Sequence, residues 1–265
     1  MIKFLYKLIS DYLPLNLKNY YLDLDKNAYE YSNLVNKPLN SIQKLNFQSL
    51  CLLFQTDKAS FNQQLVKSDS FKRSILQSHN YSSSYDDFFF SIRGNIKNII
   101  EIGCLNGSSS AVLFYYFYNA KIFSLDIDFS ANHVHSKRIS RQIMDQSNVI
   151  SIRKFINKNS KKKFNIIIDD GSHKQSDILL TFNEFFKTLS AESFYIIEDI
   201  SYENQPMVLS IYDHFKNNKI VKLDYLDQVE FNKIKNISRI ESEQNYYNKN
   251  DDKSTQQYIL FIEVY

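Results

Sequence analysis

Glycine is nearly missing from this chain: 4 residues in 265, where average usage of about 7% would supply roughly 18. Proline occurs 3 times, cysteine twice and tryptophan not at all. Each scarcity removes a class of protein. So little glycine and proline excludes collagen-like and low-complexity chains. Two cysteines, Cys51 and Cys104, make neither a disulfide framework nor a zinc-ligand spacing, so a reducing, cytoplasmic setting is the default expectation. No apolar run reaches the ~18 residues of a membrane span, so no stable membrane insertion is expected. The opening MIKFLYKLISDYLPLNL is interrupted by Lys7 and Asp11 and lacks a small-residue cleavage site. It reads as no signal peptide, with an amphipathic helix touching a membrane surface as the alternative. A formal net charge of +3 is too small to argue for nucleic acid as a partner. The run Lys161–Lys163 reads as a solvated loop ahead of a strand.

What is there is apolar and aromatic. Hydrophobic residues make up 43% of the chain, with 19 Tyr and 21 Phe. At this length they can bury one large domain, or one domain and a cap. In a chain this poor in glycine, the glycines that remain are expected where the backbone needs them. They are Gly94, Gly103, Gly107 and Gly171.

The chain divides near residue 92. Before it, segments such as 41–55 carry apolar residues at helical spacing, so residues 1–91 read as a mainly helical cap. From 92 to 265, short apolar runs alternate with helical patterns. Strands are expected at Lys97–Ile102, Lys121–Asp126, Val149–Ile152, Phe164–Asp169 and Ser193–Glu198. Ile220–Tyr225 and Gln257–Val264 read as the last two, flanking a polar loop over 241–255. Helices are expected at Ser109–Asn119, Gln175–Leu189 and Met207–Asn217. Such alternation implies an α/β fold: a mostly parallel sheet of seven strands with helices on both faces. Ligands in such sheets bind outside the carboxyl ends of the strands, where the strand order reverses.

The residues at those ends therefore carry the functional argument. The first strand runs into EIGCLNGSSS (101–110). Gly103 and Gly107 bracket a tight turn into a helix opened by Ser108 and Ser109, whose free N–H groups face the ligand. The spacing G-x-x-x-G departs from the dinucleotide fingerprint G-x-G-x-x-G. It suits a smaller nucleoside whose amino-acid portion pairs with Glu101; a purely structural turn is the alternative. About 20 residues on, Asp126 ends the second strand, where an acid accepts the hydroxyls of a ribose. A turn cap is the plain alternative there. Asp145 and Gln146 lie where an adenine would be reached, or in a surface turn. The fourth strand ends in Asp169-Asp170-Gly171-Ser172-His173 and the fifth in Glu198-Asp199. Four converging carboxylates repel one another unless a cation is bound or protons are retained. Oxygen donors without cysteine select a hard ion, Mg²⁺ first, with Mn²⁺ or Ca²⁺ as substitutes. His173, beside them, suits a general base; helix caps and a satisfied structural histidine are the alternatives. Ser172 is a candidate helix cap.

These motifs resemble the class I S-adenosylmethionine-dependent methyltransferases. EIGCLNGSS resembles the first motif of that family and LDID (125–128) its ribose-binding motif. DDGSH (169–173) followed by YIIED (195–199) resembles a narrower branch, the metal-dependent macrolide-sugar O-methyltransferases and their cephalosporin-hydroxylase-like relatives. Thr56-Asp57-Lys58, His79-Asn80-Tyr81 with Tyr85, and Asp145-Gln146-Ser147 resemble further segments of that branch. The stretch 59–78 reads as an insertion. Ser190-Ala191-Glu192-Ser193 stands where the family has glycines, altering a surface turn.

The resemblance implies a Rossmann-like domain binding S-adenosylmethionine, with Asp170, Glu198 and Asp199 holding Mg²⁺. Asp169 supports the turn beside the cofactor, and His173 is the base. Lys58, His79 and Tyr81 reach over the cofactor and acceptor from the cap. The implied reaction is O-methylation of a hydroxyl on a sugar, glycan precursor or small natural product. An NAD-dependent oxidoreductase and a non-catalytic cofactor-binding scaffold are the competing readings. The aromatic-rich region before residue 92 leaves room for a homo-oligomer contact.

Overall fold

The computed structural model describes residues 22–23, 45–54, 56–58, 79–217, 232–241 and 257–265. The expected strand at 220–225, the stretch 59–78, the first segment 1–17 and all of the 241–255 loop beyond residue 241 lie outside these residues. No helix among the described residues is long and apolar enough to cross a membrane.

The central sheet is built from β2 (Asn98–Ile102), β3 (Lys121–Asp126), β5 (Ile139–Ile143), β6 (Ile166–Asp169), β7 (Phe194–Ile200), β8 (Ile234–Glu241) and β9 (Tyr258–Val264). Its order is β5-β3-β2-β6-β7-β9-β8, and only β9 runs against the rest. A two-residue strand, β1 (Leu22–Asp23), pairs in parallel with β4 (Val134–His135) beside it. Parallel strands covered on both faces need apolar side chains on both, and the isoleucine runs supply them. Ile99, Ile166, Ile168 and Ile196 join one core with α1 (Phe47–Phe54), α2 (Ser82–Phe89) and α3 (Ser108–Tyr116). Ile100, Ile102, Ile167 and Ile197 join the other with α4 (Val149–Lys158), α5 (Gln175–Phe186) and α6 (Pro206–Lys216).

The described segments between residues 45 and 92 pack directly on the first of these faces. Phe47 stacks on Tyr85 at 4.2 Å, Phe88 on Phe261 of β9 at 4.3 Å, and Phe89 meets Phe194 of β7 edge-on at 5.0 Å. Each fully buried aromatic of this kind contributes about 1.5–3 kcal/mol by area alone.

Two expected elements differ. Val149–Ile152 is the first turn of α4 and not a strand: the Asn148 side chain accepts hydrogen bonds from Ile150 and Ser151 N–H, and such a cap fixes a helix start whatever the β propensity of VISI. The third strand of the pattern is instead β5, ISRQI, an edge strand whose alternate side chains face solvent. The last pair is β8 with β9, with β8 at Ile234–Glu241.

Register decides what the strand ends present. Leu125, Ile102, Asp169 and Ile197 lie side by side in one row across β3, β2, β6 and β7. The next residue on each strand is Asp126, Gly103, Asp170 and Glu198. Between β2 and β6 the chain order reverses, which is the switch point expected to hold a ligand.

Candidate active site

The two functional turns touch each other at Gly103. Its φ is +80°, and a Cβ added there would lie 2.1 Å from the Asp170 carbonyl oxygen. No larger residue fits, because the obstacle is backbone. Gly103 N–H donates to Leu125 O at 2.8 Å, and Asp170 N–H to Ile102 O at 2.9 Å, so the sheet ladder continues into both turns. Asp126 Oδ2 accepts from Cys104 N–H at 2.9 Å and Leu105 N–H at 3.0 Å, which pins the glycine loop over the end of β3. Gly107, at φ +89°, starts α3.

These turns enclose a cleft of 710 Å³. Of the residues expected there, Lys58, Gly103, Ser108, Ser109, Asp126, Asp145, Gln146, Asp170, His173 and Asp199 line it. Glu101 does not: it is buried, and Ser109 and Ser110 donate their hydroxyls to its two carboxylate oxygens. Burial pushes its carboxyl upward while those two serines pull the other way. Asp145 binds its own turn, accepting from Ser147 N–H at 2.9 Å and the Ser147 hydroxyl at 2.7 Å.

Asp169 also faces inward. Gln146 donates to it at 2.7 Å and Thr181 at 2.5 Å, while Gln146 Oε1 accepts from Ser172 N–H at 2.8 Å. A Cβ on Gly171 would lie 2.2 Å from that same Oε1. Asp169 and Gln146 thus form an internal strut under the acidic turn, and burial raises Asp169 to about 6. Ser172 is not the helix cap. Lys174 holds that position, and the Ser172 hydroxyl donates to Asp177 at 2.8 Å.

Above the strut, Asp170, His173 and Asp199 converge. Among the described residues, one ligand atom from each lies within 4.8 Å of the others. His173, at φ +54°, and Asp199, at φ +56°, both adopt left-handed backbone, a conformation that L-residues keep only where surrounding contacts impose it. For His173 one such contact is Gln205, whose amide donates to the His173 carbonyl at 2.6 Å. His173 Nε2 lies 3.9 Å from Asp170 Oδ1 with the ring partly exposed.

Glu198 sits deeper, outside that triad. Lys58 reaches it with its ammonium, which also lies 2.5 Å from Asp170 Oδ2. Tyr85 OH donates to the other Glu198 oxygen at 2.5 Å. Burial pushes the Glu198 carboxyl upward, against the opposing pull of Lys58. Burial alone would lower the Lys58 ammonium, but Asp170 and Glu198 outweigh it and hold it well above its usual value. Tyr81 OH donates to Asp199 at 2.7 Å, and His79 Nδ1 stands 3.1 Å from the same oxygen. Burial raises Asp199 as well, opposed by His79.

Thr181, Gln205 and Tyr85 carry no role in the sequence reading. Only Tyr85 had a local signal, its place in the His79–Tyr85 segment. A second cleft, of 480 Å³, shares His173, Lys174 and Asp199 with the first. Its other described lining residues are Gln175, Ser201, Asn204, Gln205 and Gln257, all of them hydrogen-bonding.

Comparison with known proteins bears on this arrangement. No family model matches the chain. Over 142 residues it is 26% identical to the 8-demethyl-8-alpha-L-rhamnosyl tetracenomycin-C 2'-O-methyltransferase of Streptomyces olivaceus, covering 51% of this chain and 37% of that protein. Over 129 residues it is 26% identical to the demethylmacrocin O-methyltransferase of Streptomyces fradiae, covering 46% and 32%. Among solved structures, the MycE methyltransferase of the mycinamycin biosynthetic pathway, in complex with Mg and SAH, superposes with a TM-score of 0.63 at 17% identity. That match covers 90% of this chain and 59% of MycE. The chain is thus similar in part of its sequence to sugar O-methyltransferases, and it shares the fold of MycE. The match to those curated methyltransferases spans about a third of their length. The methyltransferase fold accounts for the sheet order, with β9 reversed between β7 and β8, and for a cleft at the β2–β6 switch point.

Proposed function

We propose that the protein is an S-adenosylmethionine-dependent, divalent-metal-dependent O-methyltransferase acting on a hydroxyl of a sugar or small natural product. One observation carries this reading: the glycine loop and the acidic turn are in contact at Gly103 and Asp170, so a cofactor in the first cleft abuts the Asp170–His173–Asp199 group. The names of the relatives add the class of acceptor, sugars on natural products. In this reading residues 92–265 are the catalytic domain and 1–91 the cap on the acceptor side.

The donor set fits a hard ion: the Asp170 and Asp199 carboxylates reach one point, Glu198 lies behind Asp170, no thiolate is among them, and the His173 imidazole stands beside them, left for the proton. When bound, the ion supplies acidity and orientation to the acceptor hydroxyl, and the cofactor supplies the methyl group. The remaining tasks fall to the chain. Asp126 and the N–H groups it braces shape the ribose end of the first cleft. Glu101 fixes Ser109 and Ser110 at the start of α3. His173, which lines both clefts, takes the proton of the hydroxyl on its imidazole. Polar side chains of the second cleft orient the hydroxyls of the acceptor.

The test uses S-adenosylhomocysteine, NAD and a panel of sugar acceptors. S-adenosylhomocysteine is expected to raise the melting temperature, and NAD is not. His173→Ala is expected to keep that shift while methyl transfer falls by about 10²–10⁴-fold. Stabilisation by NAD alone removes the methyltransferase reading, and undiminished transfer removes His173 from the chemistry.

A further inference from the structure

Lys58 is the one ammonium within bonding distance of the acidic cluster among the described residues, and it is placed with care. It follows α1 in a turn closed by Lys58 N–H donating to the Thr56 hydroxyl at 3.2 Å. The turn is clamped to the start of α2, where His79 N–H donates to Asp57 O at 2.8 Å and Ser82 N–H to Lys58 O at 3.1 Å. From there the side chain enters the strand-end rim, and only 5% of the residue remains exposed. Its ammonium bridges Asp170 Oδ2, at 2.5 Å, and Glu198 Oε2. Asp170 Oδ1 faces His173 instead. One carboxylate therefore serves the ammonium with one oxygen and the Asp170–His173–Asp199 group with the other.

A buried carboxylate cluster needs a cation, and here the chain itself provides one. A divalent ion seated on Asp170 would sit a few ångströms from a fixed positive charge, and like charges at that range repel strongly in a partly buried site. We propose that Lys58 is a resident cation of this cluster: it holds Asp170 and Glu198 together in the ion-free protein, and a divalent ion binds in competition with it. The inference rests on the metal-dependent part of the reading above. It makes two consequences. The ion-free protein stays folded without metal, and ion entry loosens the grip of the 56–58 turn on the strand ends.

The experiment measures Mn²⁺ affinity by calorimetry, and melting temperature in chelator and in saturating Mg²⁺, for the full chain. The proteins are wild type, Lys58→Met and Lys58→Arg. Lys58→Met keeps the length of the stem and removes the charge. It is expected to melt lower than wild type in chelator, to be rescued by Mg²⁺, and to bind Mn²⁺ at least tenfold tighter. Lys58→Arg keeps the charge and is expected to bind Mn²⁺ within about threefold of wild type. Mn²⁺ binding by Lys58→Met that is unchanged or weaker overturns the proposal. So does a Lys58→Met protein unfolded even in saturating Mg²⁺, since the ion then cannot stand in for the ammonium. An arginine variant that behaves like the methionine variant overturns it as well, because charge is then not the cause. Failure of wild type and Lys58→Met alike to bind Mn²⁺ overturns both this inference and the metal part of the proposed function. The shift given by S-adenosylhomocysteine, read in the same melts, reports separately on the cofactor cleft.

Discussion

The two halves of the strand-end rim satisfy their acids in opposite ways. On the β2–β3 side, partners come from nearby in the chain. Glu101 is held by Ser109 and Ser110, 8 and 9 residues on, and Asp126 by Cys104 and Leu105, 22 and 21 residues back. On the β6–β7 side Asp169 is likewise held by Gln146 and Thr181, 23 residues back and 12 on, but Asp170, Glu198 and Asp199 draw partners from across the molecule. Lys58 lies 112 residues from Asp170 and 140 from Glu198, Tyr81 lies 118 from Asp199, and Tyr85 lies 113 from Glu198. The first half is self-contained and neutral in its donors. The second is completed only when residues 56–58 and 79–85 are docked, and there an ammonium, that of Lys58, joins the neutral hydroxyls of Tyr81 and Tyr85. Cofactor binding and completion of the acidic half are therefore separable, and substitutions should separate them.

The largest effect is expected where the halves meet. Gly103→Ala meets both a left-handed backbone and the Asp170 carbonyl, and is expected to cost about 3 kcal/mol or more. Thermal melting and S-adenosylhomocysteine binding should fail together. Retention of either would mean that the two turns are not rigidly joined.

Next is the strut. The folded-state value of Asp169 is raised to about 6 by burial, above its ordinary value of about 3.9. A raised carboxyl contributes stability that is complete below the ordinary value and lost as pH rises through the raised one. Asp169 thus costs on the order of 2–3 kcal/mol above pH ~6 relative to pH ~4. Asp169→Asn keeps an acceptor for Gln146 and should flatten the decline in melting temperature across that window. An unchanged pH slope would show that Asp169 is not its source.

A matched pair then contrasts the halves directly. Tyr85→Phe removes the hydroxyl that binds Glu198 and should cost about 1–2 kcal/mol. It should speed amide exchange across 79–89 while leaving S-adenosylhomocysteine binding near wild type. Ser110→Ala should cost about 1 kcal/mol and weaken that binding without loosening 79–89. Identical profiles for the two variants would erase the distinction.

The smallest effect lies away from both halves and has the opposite sign. Glu192 adopts φ +59° in an exposed turn, within the stretch 190–193 that the sequence resemblance aligns with glycines. Glu192→Gly should stabilise by about 1 kcal/mol, because glycine adopts this conformation without strain. A lower melting temperature would contradict it.

The same division explains what the sequence made legible. The isoleucine runs of β2, β6 and β7 announced buried parallel strands, because two-sided burial leaves no alternation to interpret. The glycine loop and Asp126 were legible because their partners are local. β5 was hidden for the reverse reason: ISRQI faces solvent on one side and has no apolar run, while VISI next to it imitates one. Asn148 before that run was the available signal for a helix. Nothing in the neighbourhood of Glu198 indicates that its partners are Lys58 and Tyr85, since that pairing exists only in the folded chain. Glu101 was read as facing a ligand, and local serines take its oxygens instead.

The reversed strand β9 has a consequence for timing. It lies between β7 and β8 and pairs with both, yet it leaves the ribosome roughly 60 residues after β7 begins. Until then β7, which carries Glu198 and Asp199, offers an open and largely apolar edge, the kind of surface on which nascent chains aggregate. The acidic half of the rim thus gains a secure foundation only once β9 has been made, even though its residues are made much earlier.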